Sequence, residues 1–526
     1  MYDLNDEILK RRSFAIISHP DAGKTTLTEK LLLMGGAIHI AGTVKARKSS
    51  RYAASDFMEI EKQRGISVSS SVLGFKYRNL NFNLLDTPGH KDFSEDTYRT
   101  LTAVDSVLMV LDSTKGVETQ TRKLMEVCRL RQTPIISFIN KLDRDGLSPL
   151  ALLDEIEKEL GIEVAPCSWP LGMGKRFKGV YNLLDQSIAI FKAHQKHEDA
   201  KIFHDLSSPE LFKCLDKNQD YIDQLKEDLE LLSLYAAFDK EKYLSGKQTP
   251  VFFGSAINNF GVQEILDCFS DYAPPPLNRE SDQGMVCVNQ EKFSGFIFKI
   301  HANIDPKHRD RIAFLRVCSG IFKKNTFYHH VRLKRKLRFS NPTAFLAQEK
   351  QILEHAFPGD IVGLFDTGQL KIGDTLTEGG QFKFLGIPTF SPEVFRLVVN
   401  KNPMKSKQLE KGLVQLCEEG LAQLFLRDMD QGRLIGTVGV LQFDVIKYRL
   451  LHEYSADCDF RELSFYKACW IESDTERGLL DFWASRKRHL AYDSQNRQVY
   501  LAESQWGLER EIKENSLIKF RFSAEV

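Results

Sequence analysis

Near its N-terminus the chain carries an apolar run, Phe14-Ala15-Ile16-Ile17. It passes directly into Ser18-His19-Pro20-Asp21-Ala22-Gly23-Lys24-Thr25-Thr26, and an apolar helical pattern follows. A strand, a tight loop and a helix in that order open a βαβ unit. Further short apolar runs recur at Phe82 to Leu85, Val107 to Leu111, Ile135 to Ile139 and Val251 to Phe253. Helical patterns such as Leu124 to Leu130 and Leu150 to Leu160 lie between them. This alternation predicts an α/β domain over 1–277, with a mostly parallel sheet covered by helices on both faces.

One interval is too long for that plan. A βαβ unit takes about 30 residues or a little more, and far more than that separates Asp143 from Gly254. The surplus, about 166–248, reads as an inserted subdomain with an amphipathic helix carrying Ile222, Leu225, Leu229 and Leu232. Pro274-Pro275-Pro276 closes the first domain. Over 278–388 short strands alternate with turns, at Gly295 to Phe298, Ile312 to Val317, Ile361 to Phe365 and Ile372 to Leu376, which predicts an all-β barrel. From 389 to 526 the pattern mixes. A strand is expected near Val394 to Val398, a helix over Ser406 to Leu424, a strand over Arg433 to Val438 and a helix over Leu441 to His452, in an α+β domain without internal repeat.

At 526 residues the chain has room for about three domains. No apolar run approaches the ~18 residues of a membrane span, and the polar, mixed-charge N-terminus is not a signal peptide. The nine cysteines form no CxxC pair, so buried reduced thiols are expected rather than zinc ligands or disulfides. With a net charge of +1, a nucleic-acid partner has to be argued from local patches.

The loop Ser18 to Thr25 has the spacing of a phosphate-binding loop, with Ser18 standing where the first glycine usually falls. Its backbone amides, with the helix N-terminus behind them, are expected to surround phosphate oxygens. Lys24 is expected on the β- and γ-phosphates and the Thr25 hydroxyl on Mg2+. Asn83-Leu84-Leu85 then runs into Asp86-Thr87-Pro88-Gly89-His90. Asp86 suits the magnesium shell, and Gly89 allows its amide to approach a γ-phosphate. Asn140-Lys141-Leu142-Asp143 follows the next apolar strand, and Gly254-Ser255-Ala256 the last. The Asp143 carboxylate can accept hydrogen bonds from guanine N1 and N2, which adenine cannot offer. ATP would therefore leave Asp143 unpaired, and the expected ligand is GTP or GDP.

The chemistry expected is phosphoryl transfer to water, which needs positioning and charge stabilisation more than a covalent group. His90 stands where a water-orienting residue belongs. The aperiodic stretch from Gly35 to Ser67, ending in Gln63-Arg64-Gly65-Ile66-Ser67, reads as a first switch loop in which Ser67 supplies a second hydroxyl to the metal.

Four segments carry a family resemblance: Ser-His-Pro-Asp-Ala-Gly-Lys-Thr-Thr (18–26), Arg-Gly-Ile-Ser (64–67), Asp-Thr-Pro-Gly-His (86–90) and Asn-Lys-Leu-Asp (140–143). Together they resemble the translational GTPases. The family usually has threonine at the position of Ser67. The stretches 11–24, 58–67 and 92–105 are most similar to the class II peptide-chain release factors of bacteria. The resemblance implies a G domain with an insertion, a barrel like domain two of the elongation factors and a third α+β domain. It also implies a cytoplasmic factor whose GTP form promotes departure of class I release factors from the ribosome, and a monomer is expected because the sequence shows no coiled coil or exposed apolar stripe. Hydrolysis stimulated by the ribosome, through its rRNA and proteins, then frees the factor itself.

Two other readings compete with this one. A translocase-type elongation factor would need two further C-terminal domains. A GTP-binding scaffold that does not hydrolyse would be expected to lack His90 or the switch elements. One local signal fits an RNA partner: Lys299 to Arg338 holds twelve Lys or Arg and two Asp. On a strand, Arg332, Lys334, Lys336 and Arg338 would share one face and suit phosphate contacts. Gly379-Gly380-Gln381 matches the catalytic tripeptide of class I release factors. At ordinary glycine frequency such a tripeptide arises by chance in about one chain in ten of this length, and it reads here as a turn.

Overall fold

The computed structural model describes residues 2–38, 61, 67–190, 201–216, 218–302, 311–346, 349–387, 391–473 and 475–522. The stretch read as a first switch loop lies largely outside the described residues, Gln63 to Ile66 included.

The first sheet is built from β1 (Arg11–Ser18), β2 (Ser71–Tyr77), β3 (Leu80–Asp86), β4 (Ser106–Asp112), β5 (Ile135–Asn140), β6 (Glu163–Pro166) and β7 (Gln248–Phe253). Their order is β2-β3-β1-β4-β5-β7-β6, parallel throughout except for the β2–β3 hairpin. Side chains on a strand point alternately to opposite faces, so each buried strand feeds two cores. Ala15 and Ile17 of β1 join one, with Leu124 and Met125 of helix α3 (Thr119–Leu130) and Leu152 and Ile156 of α4 (Pro149–Leu160). Phe14 and Ile16 join the other, with Leu27 and Leu31 of α1 (Lys24–Met34) and Ile265 and Phe269 of α5 (Val262–Tyr272). Helix α2 (Ser94–Thr102) adds Leu101 to the first core. The strands and helices expected from periodicity are present; β6, too short to carry a pattern, was not expected.

Between β6 and β7 the chain forms an antiparallel four-stranded sheet, Ser168–Leu171, Gly179–Asn182, Ser187–Ile190 and Lys201–Phe203, and a helix, Asp220–Leu232. That helix buries Ile222, Leu225 and Leu232. Its Asp228 carboxylate accepts a 2.8 Å hydrogen bond from the indole of Trp169, which fixes helix to sheet.

The second part is an antiparallel barrel. Ser294–Ala302 lies between Arg311–Ser319 and Thr375–Thr377, and Ile361–Asp366 flanks Arg311–Ser319. Ile297, Leu315, Val317, Tyr328, Val362 and Leu376 fill its interior. The strand expected at Ile372 starts only at Thr375, because Ile372 and Gly373 form a turn and Gly373 has φ of 91°. Glu378 and Gly379 form a bend after that strand, and Gly380 and Gln381 follow it outside any helix or strand. Gly379 has φ of 91°, and the Thr377 hydroxyl donates to the Gly380 carbonyl at 2.6 Å.

The α+β part contains a repeat that the sequence does not show. Val394–Asn400, α6 (Ser406–Glu418), Gln423–Arg427, Arg433–Thr437, α7 (Leu441–Tyr454) and Cys458–Leu463 follow a βαββαβ order. Lys467–Ser473, Glu476–Ser485, Leu490–Asp493, Gln498–Ala502, Gln505–Glu514 and Ile518–Arg521 follow it again. Within each half the strands lie in the order fourth, first, third, second, the split-βαβ arrangement. The second strands of the two halves pair with each other and make one eight-stranded sheet. The helix expected to reach Leu424 stops at Glu418, because Gly420 takes φ of 79° and Gln423 starts a strand.

Buried charges join the first part to the barrel. Asp105 is buried, and it accepts from the Ser13 hydroxyl at 2.5 Å and the Leu277 amide at 3.2 Å. Arg316 and Arg279 pair with it at 2.5 and 2.7 Å. Burial alone would raise its carboxyl pKa, but the two guanidinium groups and these hydrogen bonds hold it below the usual range. Arg11 adds an ion pair to Asp360 at 2.9 Å. All nine cysteines are unpaired, and Cys214, Cys287 and Cys417 are partly exposed. Among the described residues no helix is long and apolar enough to cross a membrane.

A depressed folded-state pKa contributes stability that is fully present above the unfolded value and is lost as pH falls. Asp105→Ala is therefore expected to lower stability at neutral pH by about 3 kcal/mol or more, since it leaves Arg316 buried and unpaired. The gap between wild type and variant should narrow as pH falls from about 5 to about 3. Urea unfolding across that range checks both.

Candidate functional site

Parallel strands in an open sheet end on one edge, and loops at that edge converge. The loops after β1, β3, β5 and β7 meet there around a cleft of about 600 Å³. Of the residues expected to act together, Ser18, His19, Pro20, Asp21, Gly23, Lys24, Thr25, Thr26, Ser67, Gly89, His90, Asn140, Lys141, Asp143 and Ala256 line it. Ala22, Asp86, Thr87 and Ser255 are buried beside it, and Pro88 sits in the turn between Thr87 and Gly89.

The loop after β1 turns through two left-handed residues, Asp21 at φ 67° and Gly23 at φ 94°. Gly23 caps α1 and could not be replaced, because a Cβ there would stand 2.3 Å from the Asn140 side-chain amide. Lys24, the first residue of the helix, is buried, and its ammonium pairs with Asp86 Oδ1 at the end of β3. The other oxygen of Asp86 is buried with no hydrogen-bond partner. An orphaned carboxylate oxygen beside a cleft that Thr25 and Ser67 also line is a donor set of the hard, oxygen-only kind that suits Mg2+. The residues present therefore fit that ion. The Thr87 hydroxyl donates to the Ile16 carbonyl at 2.7 Å and ties the turn after β3 to β1.

Asn140, which also lines the cleft, binds three loops together. Its side-chain amide donates to the Ala22 carbonyl at 2.9 Å, and its oxygen accepts from the Ala256 amide at 2.9 Å. Lys141 follows in the left-handed region at φ 71°. Its ammonium donates to the Asp21 carbonyl and pairs with Asp112 at 2.7 Å. Asp143 accepts from the Ser255 hydroxyl at 2.6 Å, and Asn258 donates to that hydroxyl at 3.1 Å.

Asp112, Thr114, Lys115 and Arg144 also line the cleft, and the sequence reading did not include them. Asp112 ends β4 and accepts from the Thr114 amide and hydroxyl at 2.9 and 2.7 Å. Burial would raise its carboxyl pKa, but the hydrogen bonds from Lys141 and Thr114 hold it below the usual range. The available signal was positional: Asp112 closes a parallel strand on the edge where the other loops gather.

His90 borders the cleft and opens a short turn, Lys91–Phe93. Its Nδ1 accepts from the Asp92 backbone amide at 3.2 Å.

The basic stretch of the barrel is not one face. Val331 to Lys334 is the turn of a hairpin between Phe327–His330 and Arg335–Arg338, so the expected alternation fails there. Lys299, Arg311 and Arg316 are buried, and Arg332 pairs with Asp374 at 2.6 Å. Lys334, Arg335, Lys336 and Arg338 stay exposed at the hairpin tip.

Comparison with known proteins gives three family matches in chain order. The elongation factor Tu GTP binding domain matches residues 9–275. Elongation factor G domain 2 matches residues 292–379. The C-terminal domain of the class II release factor RF3 matches residues 384–511. In fold, the chain is similar to a protein of Thermus thermophilus solved by crystallography. The TM-score is 0.70 at 21% identity, over 89% of this chain and 71% of that one. Matches at that identity speak to fold alone.

Asn140→Ala is expected to lower stability by about 2 kcal/mol or more, because the Ala22 carbonyl and the Ala256 amide both lose their partner. Urea unfolding of the protein without nucleotide measures this.

Proposed function

Because the chain belongs to the translational GTPases and carries the C-terminal domain of the class II release factors, we propose that it removes class I release factors from the ribosome after peptide release. It does so in the GTP form and leaves when GTP is hydrolysed. The observation that carries the nucleotide assignment is the cleft itself, which Lys24 and Asp143 both line. In this reading the triphosphate lies at Lys24 and the guanine base at Asp143.

In this reading the amides of Ser18 to Lys24 and the Lys24 ammonium hold the phosphates. Thr25, Ser67 and Asp86 would hold Mg2+, which when bound neutralises charge on the β- and γ-phosphates. Asp143 accepts from guanine N1 and N2, and Ser255 keeps the carboxylate turned toward the base. Asn140 holds the Ala256 loop, and Thr87, Pro88 and Gly89 bring a backbone amide to the γ-phosphate. Asp112 fixes Lys141 along the rim. His90 orients the attacking water, whose oxygen bonds to the γ-phosphorus as the bond to the bridging oxygen breaks. The products are GDP and phosphate.

The ribosome is the proposed stimulator, with the exposed hairpin tip from Lys334 to Arg338 as a candidate rRNA contact. A cytoplasmic, monomeric factor agrees with this task. The class I factor is the proposed second partner.

His90→Ala is expected to keep guanine nucleotide affinity and to lower ribosome-stimulated turnover by about a hundredfold or more. Unchanged turnover would remove His90 from the mechanism. Asp143→Asn should cut the preference for GTP over ATP by at least about tenfold, read from competition binding. Unaltered preference would refute the base assignment.

A further inference from the structure

Helix α7 of the α+β part has no side-chain cap of its own. Its N-cap residue is Val440, which makes no capping hydrogen bond. The first amides of a helix need partners from elsewhere. Gln442 accepts from the amides of Val438 and Gly439 at 2.8 and 3.0 Å. The Leu441 amide is satisfied from a different domain: it donates to Asp92 Oδ2 at 2.8 Å. A carboxylate on a helix N-terminus is favourable by charge as well as by hydrogen bonding.

Asp92 stands two residues after His90. Its backbone amide donates to His90 Nδ1 at 3.2 Å, and its other carboxylate oxygen lies 3.4 Å from the same nitrogen. Asp92 is buried, and Gly439 packs against it so closely that a Cβ there would stand 1.9 Å from the Asp92 carboxyl carbon. Beside this contact Phe93 packs on Val445 and Leu441. One acidic residue therefore touches the His90 ring with its backbone and the α7 terminus with its side chain.

We propose that Asp92 is a positioning residue that couples His90 to the seat of the C-terminal domain. While α7 is docked, the Leu441 amide holds the Asp92 carboxylate, and the Asp92 amide in turn holds His90 Nδ1. When α7 moves away, the carboxylate loses its partner and the turn that carries His90 loses its anchor. There is space for such movement, because a cleft of about 930 Å³ lies beside the contact, between Tyr98 and Lys123 on one side and Lys467 and Phe522 on the other. This coupling rests on the reading of His90 as the water-orienting residue. It goes beyond that reading by making turnover depend on where the C-terminal domain sits.

Gly439→Ala tests it from the far side. Gly439 does not have a left-handed backbone, and the three atoms nearest an added methyl all belong to the Asp92 side chain, which it would displace. It touches neither nucleotide nor His90. Gly439→Ala and Asp92→Ala should each lower ribosome-stimulated kcat by about fivefold or more, the worth of one helix cap. GTP and GDP affinity should stay within about twofold. The double variant should be no slower than Asp92→Ala, since both remove one contact. Where His90→Ala lowers turnover, unchanged kcat in either single variant, or losses that multiply, would overturn the coupling.

A second readout is independent of chemistry. In 15N-histidine-labelled protein the His90 ring signals, assigned by their loss in His90→Ala, should shift in Gly439→Ala. A ring that does not shift overturns the coupling even where His90→Ala abolishes turnover. A ring that shifts while His90→Ala leaves turnover intact keeps the coupling and removes only the role given to His90. Asp92→Asn, which retains an acceptor for Leu441, should keep most of the wild-type kcat and thereby separate loss of the tie from loss of folding.

Discussion

Four charged side chains between Asp92 and Asp105 each reach into another part of the molecule. Asp92 holds the Leu441 amide of the C-terminal domain. Asp96 holds Lys299 of the barrel at 3.1 Å, with the Ser70 amide on the same oxygen at 2.6 Å. Arg99 donates to the Gly420 carbonyl at 2.7 Å, and Asp105 receives Arg316 and Arg279. Burying a charge is costly unless it is paired, so the ion pairs of Asp96 and Asp105 are close to obligatory while the domains stay together. The segment begins two residues after His90 and α2 forms its middle. Any displacement of that helix is therefore felt in all three domains. These charged contacts lie beside an apolar core that itself crosses the joint, holding Leu101 and Val104 of the first domain together with Phe298 and Phe314 of the barrel.

The linkages differ in how tightly they are built. The joint between the G domain and the barrel surrounds Asp105 with two arginines, a hydroxyl and an amide, all buried or nearly so. At the contact around Asp92, one amide and a small apolar cluster lie next to an open cleft. The first has the character of a fixed joint. The second is the one with room to open.

Much of the cleft proposed for the nucleotide was legible in the sequence, because its residues sit in short motifs whose spacing follows from a strand, a turn and a helix. Asn140 and Asp143 could be identified that way, and both line the cleft with Lys24 and Ala256. Asp112 could not, since one aspartate after an apolar strand is ordinary until the strand order is known. The βαββαβ repeat was hidden because the two halves share element order and not residues. The basic stretch misled for a related reason: composition counts Lys299, Arg311 and Arg316 as surface charge, whereas their pairing with Asp96, Asp366 and Asp105 draws them inside. Long-range ion pairs leave no periodic trace, so the interfaces between domains became visible only in three dimensions.

The central claim is that GTP on this chain drives a class I release factor off the ribosome. The most direct measurement is the dissociation rate of a labelled class I factor from post-release ribosomes, with the protein present and either GTP or GDP supplied. The account predicts faster departure with GTP than with GDP. Equal rates with both, alongside GTP turnover that ribosomes still stimulate, would leave a translational GTPase whose task in termination is something else.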